Sequence, residues 1–195
     1  MTRPKILVFA GSIRSGSHNA RLAALATKLL ALEEAEVTRI SLQDFPLPIY
    51  DGDLESRSAP PENALRLKRL MMQHAGIFIA SPEYNASVTP LLKNTLDWIS
   101  RVRDGGEAAL AAFRNRIFAL ASASPNALGG YRSLMALRQV LELGCGATVL
   151  PGEVAVGEAA NAFDADENLR DTGTAAALKA LLVRLVDAAR YLPVK

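Results

Sequence analysis

The chain has 195 residues, half of them apolar, enough for one domain with a substantial core and too many for disorder. Its 22 basic and 20 acidic residues leave a net charge of +2, too small to argue for a nucleic acid or an anionic membrane as partner. A single cysteine, Cys145, excludes an internal disulfide and suits a reducing cytoplasm, and no uncharged run approaches transmembrane length.

In chain order, Ile6-Leu7-Val8-Phe9-Ala10 reads as a strand buried on both faces. The apolar run is short and leads straight into a loop, so a signal peptide is not expected. A helical pattern starts near Asn19, with Leu22, Leu25, Ala26, Leu29 and Leu30 on one face. The loop between, Gly11-Ser12-Ile13-Arg14-Ser15-Gly16-Ser17-His18-Asn19, precedes a helix N-terminus, whose free N–H groups and dipole suit an anion. Ser12, Ser17 and Asn19 can add hydrogen bonds, and Arg14 brings a planar fork of donors that matches phosphate oxygens. The bland alternative is a polar strand-to-helix turn, which serine and glycine fill anyway. Gly11 and Gly16 have P-loop spacing, but Ser17-His18 stands where lysine and Ser/Thr should follow, and no G-x-G-x-x-G is present. What remains fits a terminal monophosphate.

Val37, Ile40 and Leu42 mark a second strand, and the proline-broken stretch from Gln43 to Asp53 reads as a loop. Its apolar part, Phe45 to Tyr50, either covers a ligand, meets a neighbouring subunit or packs on its own domain. Pro60-Pro61 opens a helix with Leu67, Leu70, Met71 and His74 on one stripe, His74 being a helix-end residue. Ile77-Phe78-Ile79-Ala80 is a third buried strand, followed by Ser81-Pro82-Glu83-Tyr84-Asn85-Ala86-Ser87-Val88. Thr89 then caps a helix with Pro90 at its first position. On that helix Asp97 and Arg101 are spaced for an ion pair, and Trp98 reads as core. Asp104-Gly105-Gly106 breaks it. Ile117 to Ala121 is a fourth strand, ended by Ser122 to Gly130, and a helix runs from about Tyr131 to Leu143. Cys145, between two glycines, reads as a small buried hydrophobe. Val149-Leu150 and Val154-Ala155-Val156 form a fifth strand interrupted by Pro151-Gly152. An acidic turn from Phe163 to Asn168 precedes a last helix, capped by Thr174 and running to about Tyr191.

Strand and helix alternate five times, which argues for a single α/β domain over residues 1–195: a doubly wound, five-stranded parallel sheet with helices on both faces. Ligands of such sheets sit at the carboxyl ends of the strands, where strand order switches. In the order 2-1-3-4-5 the loops after strands one, three and four converge on one crevice. That convergence favours the phosphate reading.

These residues resemble the NADPH-dependent FMN reductase family, which includes quinone, chromate and azo-dye reductases and has a flavodoxin-like fold. The loop from Gly11 to Asn19 is similar to the family's G-S-x-R-x-x-S-x-N phosphate loop. Ser81-Pro82-Glu83-Tyr84-Asn85 matches its S-P-E-Y-N flavin loop, and Leu92 to Trp98 its L-K-N-x-x-D-W helix. Ser124 and Gly129-Gly130-Tyr131-Arg132 are similar to a weaker third loop. The resemblance implies FMN as cofactor and NADPH as hydride donor. It further implies a binding set of Ser12, Ile13, Arg14, Ser17 and Asn19 with Pro82, Glu83, Tyr84, Asn85 and Ser124, and no protein residue acting as acid, base or nucleophile. The expected acceptors are quinones, similar small molecules or free flavin, and the expected assembly is a homodimer or homotetramer. Ala86 and Thr89-Pro90 depart from the common pattern, and Ala86 leaves the substrate range open. The rival readings are an electron-carrier flavodoxin, disfavoured by a sequence pI near 8.8, and a flavin-free regulatory relative, disfavoured by the intact first two loops.

Overall fold

The computed structural model describes residues 3–103 and 106–192. Four strands build the centre of the sheet: β1 (Lys5–Ala10), β2 (Glu36–Arg39), β3 (Gly76–Ala80) and β6 (Ile117–Ala123), while the short β4 and β5 (Glu83–Tyr84 and Ser87–Val88) stand apart as a hairpin. β7 (Thr148–Val149) and β8 (Val154–Val156) complete it. The order is β2-β1-β3-β6-β7, all parallel, and β8 also pairs with β6. β7 and β8 are the two halves of the interrupted fifth strand. β7 pairs with Ile117 and Phe118 at the start of β6, and β8 with Ala121 to Ala123 at its end. Pro151 lacks the N–H a ladder needs and Gly152 has φ +81°, so the chain steps out between them.

Side-chain alternation divides the core between the two sheet faces. Ile6, Val8 and Ala10 pack with Phe78 and Ala119 against α1 (His18–Leu32) and α6 (Thr172–Arg190). Leu7 and Phe9 pack with Ile77, Ile79, Phe118 and Leu120 against α3 (Glu62–Met72), α4 (Pro90–Arg101) and α5 (Tyr131–Gln139). Each central strand is thus apolar throughout because both its faces are covered.

Several local expectations are corrected. β2 ends at Arg39, and Leu42 falls in a 3-10 turn over Leu42–Asp44 whose Gln43 N–H donates to Ser41 Oγ. The stretch assigned wholly to loop contains the start of a short helix, α2 (Gly52–Arg57), capped by Asp51. α6 is capped not by Thr174 but by Asp171, whose carboxylate accepts from the Thr174 N–H at 2.7 Å. α5 passes into a π-helical turn over Val140–Gly144, close to the expected end. Asp97 does not pair with Arg101. It pairs one turn earlier with Lys93 at 2.8 Å, and Arg101 reaches Glu55 on α2 at 3.0 Å. The break at Asp104-Gly105 lies outside the described residues.

The other local readings stand. Trp98 and Cys145 are buried, and His74 follows α3 with Nδ1 2.6 Å from Leu70 O. The stretch from Phe45 to Tyr50 packs on its own domain. Asn94 Nδ2 and Trp98 Nε1, both on α4, donate to Pro48 O, and the Tyr50 N–H donates to Asn94 Oδ1.

Candidate functional site

β1, β3 and β6 are neighbours, so the loops after them meet at one edge of the sheet. Cross-links hold them there. The Gly11 N–H donates to Ala80 O, and the Ser81 N–H to Ala121 O. Thr89 Oγ1 donates to Gly11 O at 2.8 Å while accepting from the Leu92 N–H, so one hydroxyl caps α4 and fixes the first loop. A Cβ on Gly11 would stand 2.9 Å from Leu92 Cδ2 and 3.2 Å from Pro82, so only glycine permits this close approach.

These loops bound a cleft of about 100 Å³ lined by Ser12, Arg14, Ser17, Asn19, Pro82, Glu83, Tyr84 and Ser124, together with His18, Ala123 and Pro125. Two residues of the expected set stand outside its lining. Ile13 is 51 % exposed on the first loop, and Asn85 occupies the tip of the β4–β5 hairpin with φ +49°. The volume is below the roughly 300–1,000 Å³ of an enclosed small-molecule site, so the cleft takes one end of a ligand and leaves the rest open. Exposed Tyr84, Leu128 and Tyr131, on or next to the second and third loops, add apolar surface.

The first loop forms a cationic seat. Ser17 caps α1 by accepting from the Ala20 N–H, which leaves its own O–H proton free to donate. Arg14 is exposed. Its Nη2 makes only a 3.4 Å contact to Gly16 O, and no carboxylate pairs with it among the described residues. Asn19 is engaged elsewhere. Its Nδ2 donates to Ala123 O at 2.8 Å and its Oδ1 accepts from the Ala123 N–H at 3.0 Å, so it joins α1 to the end of β6. One amide N–H of Asn19 remains.

The second loop is held by a contact that residue spacing does not reveal. Glu83, its side chain 3 % exposed, pairs with Arg132 at the start of α5; Arg132 Nε donates to Glu83 Oε1 at 2.9 Å. This hydrogen bond holds the Glu83 carboxyl below its ordinary range, against burial that pushes it up. Arg132 follows Gly130, whose φ is +86° and whose Cβ, were there one, would overlap Ser122 Oγ. The glycine pair noted in the sequence is therefore a steric requirement of this junction.

Among the described residues three buried side-chain atoms have no hydrogen-bond partner: His18 Nδ1 and Glu83 Oε2, whose residues line the cleft, and Ser122 Oγ, which faces Gly130. Buried polar atoms are ordinarily satisfied, so the two orphans in the cleft lining point to a polar ligand. Residue spacing does not single out His18. Burial, then the charges of Arg14 and Arg21, lower its pKa and favour a neutral ring. Its place between a cap serine and a helix-start asparagine was the available signal. An unpaired guanidinium, a helix N-terminus with a free hydroxyl and unsatisfied polar atoms together fit a phosphorylated, hydrogen-bonding cofactor such as FMN.

The comparisons agree with that chemistry. The profile described as NADPH-dependent FMN reductase matches residues 4–161. A quinone reductase of Escherichia coli K12 is 33% identical over 138 residues, covering 70% of this chain and 69% of that protein. An NAD(P)H-dependent FMN reductase of Pseudomonas aeruginosa is 31% identical over 171 residues, 86% of this chain and 85% of that protein. Among solved structures, the flavoenzyme NAD(P)H:(acceptor) oxidoreductase FerB from Paracoccus denitrificans superposes with a TM-score of 0.79 at 27% identity, covering 96% of this chain and 97% of that one.

Proposed function

The chain belongs to the NADPH-dependent FMN reductase family, and we propose that its three convergent loops hold FMN with the phosphate at the start of α1. It is an NAD(P)H-dependent FMN oxidoreductase of flavodoxin-like fold that reduces quinones or flavin. Ser12, Arg14, Ser17 and Asn19 are the phosphate side of the proposed site. Pro82, Glu83, Tyr84, Asn85 and Ser124 are the ring side, and Ile13 flanks it. The observation that carries this assignment is the unpaired Arg14 guanidinium at a helix N-terminus, inside a cleft shared by all three loops.

Bound FMN supplies two-electron chemistry, taking hydride from NAD(P)H and passing electrons on to an acceptor. The chain's part is to bind and orient. Arg14 and the α1 dipole neutralise phosphate charge. The Glu83–Arg132 pair fixes the hairpin carrying Tyr84 and Asn85, and Asn19 keeps the first and third loops in register. No side chain is assigned a proton or covalent step. The Cys145 thiol is buried and its pKa pushed up to about 11, which disqualifies it as a nucleophile.

Residues 1–195 form one domain in this reading. Its assembly is a homodimer or a dimer of dimers, supported by the exposed apolar side chains of Ile13, Tyr84, Leu128 and Tyr131 beside a shallow cleft. Small flat acceptors such as quinones fit an open, apolar-rimmed site. The lone unpaired cysteine supports a cytoplasmic location, and no helix among the described residues is long and apolar enough to cross a membrane. Titration with FMN and FAD, then NADPH oxidation against a panel of acceptors with and without added FMN, tests the reading. FMN is expected to bind in preference to FAD, and quinones to accelerate NADPH oxidation. Absence of FMN binding would contradict it.

A further inference from the structure

At the opposite edge of the sheet from the FMN cleft lies a larger recess, of about 420 Å³. Its walls come from the end of α3 and from residues 107–116, the turn-rich segment that leads into β6. These segments precede β3 and β6, whereas the loops of the cleft follow them. The seven residues of β6 put roughly 20 Å between the two sites. The volume is within the range of small-molecule sites. Ligands of doubly wound sheets are bound at the carboxyl ends of the strands, so this recess has no part in holding FMN.

Its charge is one-sided. Glu107, in the wall, already pairs with the buried Lys68 of α3. Arg114 is exposed, and its guanidinium has no hydrogen-bond or ion-pair partner among the described residues. Arg116 is 8 % exposed. Its Nε donates to Met71 O at 2.7 Å, its Nη1 to Ala111 O and Arg114 O at 2.7 Å each, and its Nη2 to Met72 O at 2.8 Å. All four bonds go to backbone carbonyls, and one N–H on Nη2 remains. Met71 and Met72 end α3, whose dipole offsets part of the charge, but no carboxylate pairs with Arg116 among the described residues. Burial pushes this guanidinium below its ordinary pKa. A desolvated cation attracts an anion more strongly than one in water. Leu110 and Asn115 hold the segment bent with φ +61° and +58°, values that non-glycine residues rarely adopt. Opposite the cations, Met72, Ala108 and Ala111 form an apolar wall.

We propose that this recess binds a small carboxylic acid, its carboxylate on Arg114 and Arg116 and its apolar body against Met72, Ala108 and Ala111. A carboxylate accepts charge-assisted hydrogen bonds from guanidinium forks and supplies the counter-charge that Arg116 lacks. Inorganic phosphate would use the cations but not the apolar wall, and a neutral amide the wall but not the cations. Lying at the amino ends of the strands, the acid is neither electron donor nor acceptor and binds alongside FMN rather than in its place. It ties residues 107–116 to the end of α3, so its binding raises the melting temperature.

The test uses FMN-saturated protein labelled with methyl-13C methionine. Of the chain's four methionines, Met72 lines the recess and Met135, on α5, does not. Benzoate is titrated while the methyl spectrum and the flavin absorbance are followed, with benzamide and inorganic phosphate as controls. Benzoate is expected to shift the Met72 methyl saturably and to leave the Met135 methyl and the flavin absorbance unmoved. It should bind about tenfold or more tighter than either control, the effect of one charge-assisted contact or of the apolar wall. Arg116 also pins backbone, so the charge is tested at exposed Arg114. Arg114→Glu is expected to weaken benzoate about tenfold or more, with FMN affinity and melting temperature unchanged. A Met72 methyl that does not move would overturn the proposal, as would benzoate binding no tighter than benzamide or phosphate, or unweakened in Arg114→Glu. A response confined to the flavin absorbance would place benzoate in the FMN cleft and equally overturn it.

Discussion

Glu83 and Arg132 are 49 positions apart in sequence, yet their contact fixes one wall of the cleft. The carboxylate is nearly buried and the guanidinium about half exposed, so the pair acts by orienting the second loop more than by adding stability. Glu83→Gln keeps the shape and loses the charge; FMN affinity is expected to fall in that variant with little change in the urea midpoint. Because the folded-state pKa of Glu83 is depressed, its contribution is present above the ordinary glutamate range and is lost as pH falls through the folded value. His18 and His74 act in the same direction at higher pH. Burial lowers both, so their contribution is complete above the unfolded histidine value and fades as pH drops below it. Thermal melts should therefore decline in two stages on acidification, with the lower stage slightly reduced in Glu83→Gln, because Glu55, Asp164 and Asp171 are also held below their ordinary range. Arg14→Ala removes a charge-assisted contact and is expected to cost about 1.5–3 kcal/mol of FMN binding by flavin titration. Ala86 carries φ +61° at the hairpin tip, a conformation that suits glycine better than alanine, so Ala86→Gly should raise stability by about 0.5–1 kcal/mol in urea unfolding.

At the level of elements, the site depends on cross-links between helices and strand ends. Asn19 is the main one. Asn19→Ala strands the Ala123 N–H and carbonyl at a buried position, which should cost about 2–4 kcal/mol in urea unfolding and weaken FMN binding as the first and third loops part. α4 plays the same part for the segment from Phe45 to Tyr50. Asn94 and Trp98 both donate to Pro48 O, so this proline-rich stretch lies on its own helix. Most elements were legible in the sequence because their apolar runs are buried on both faces and their breakers are unambiguous. The misreadings have two causes. The Asp97–Arg101 pair obeyed helix spacing, but α2 brings Glu55 within reach of Arg101, and Lys93 is left for Asp97. The cap of α6 went to Asp171 rather than Thr174 because a carboxylate three residues before an N–H competes well with a hydroxyl. The Glu83–Arg132 contact was invisible as the Glu55–Arg101 contact was: periodicity encodes neighbours along one element, while this pair joins a hairpin to a distant helix.

For the molecule as a whole, parallel strand order is what turns three separated loops into one cleft. Alternation of strand and helix implied the parallel sheet, and the resemblance to a flavodoxin-like family implied its order and with it the place of the crevice; the depth of the cleft and the atoms left unpaired around it required the fold. The three loops form a shallow site for one cofactor, open on one side. In this reading NADPH and acceptor use the same exposed face in turn. Such alternation gives ping-pong kinetics, a first half-reaction complete before the second substrate binds. Initial rates measured while NADPH and a quinone are both varied test this most directly. The account predicts parallel double-reciprocal lines, and intersecting lines, showing that both substrates bind together, would contradict it.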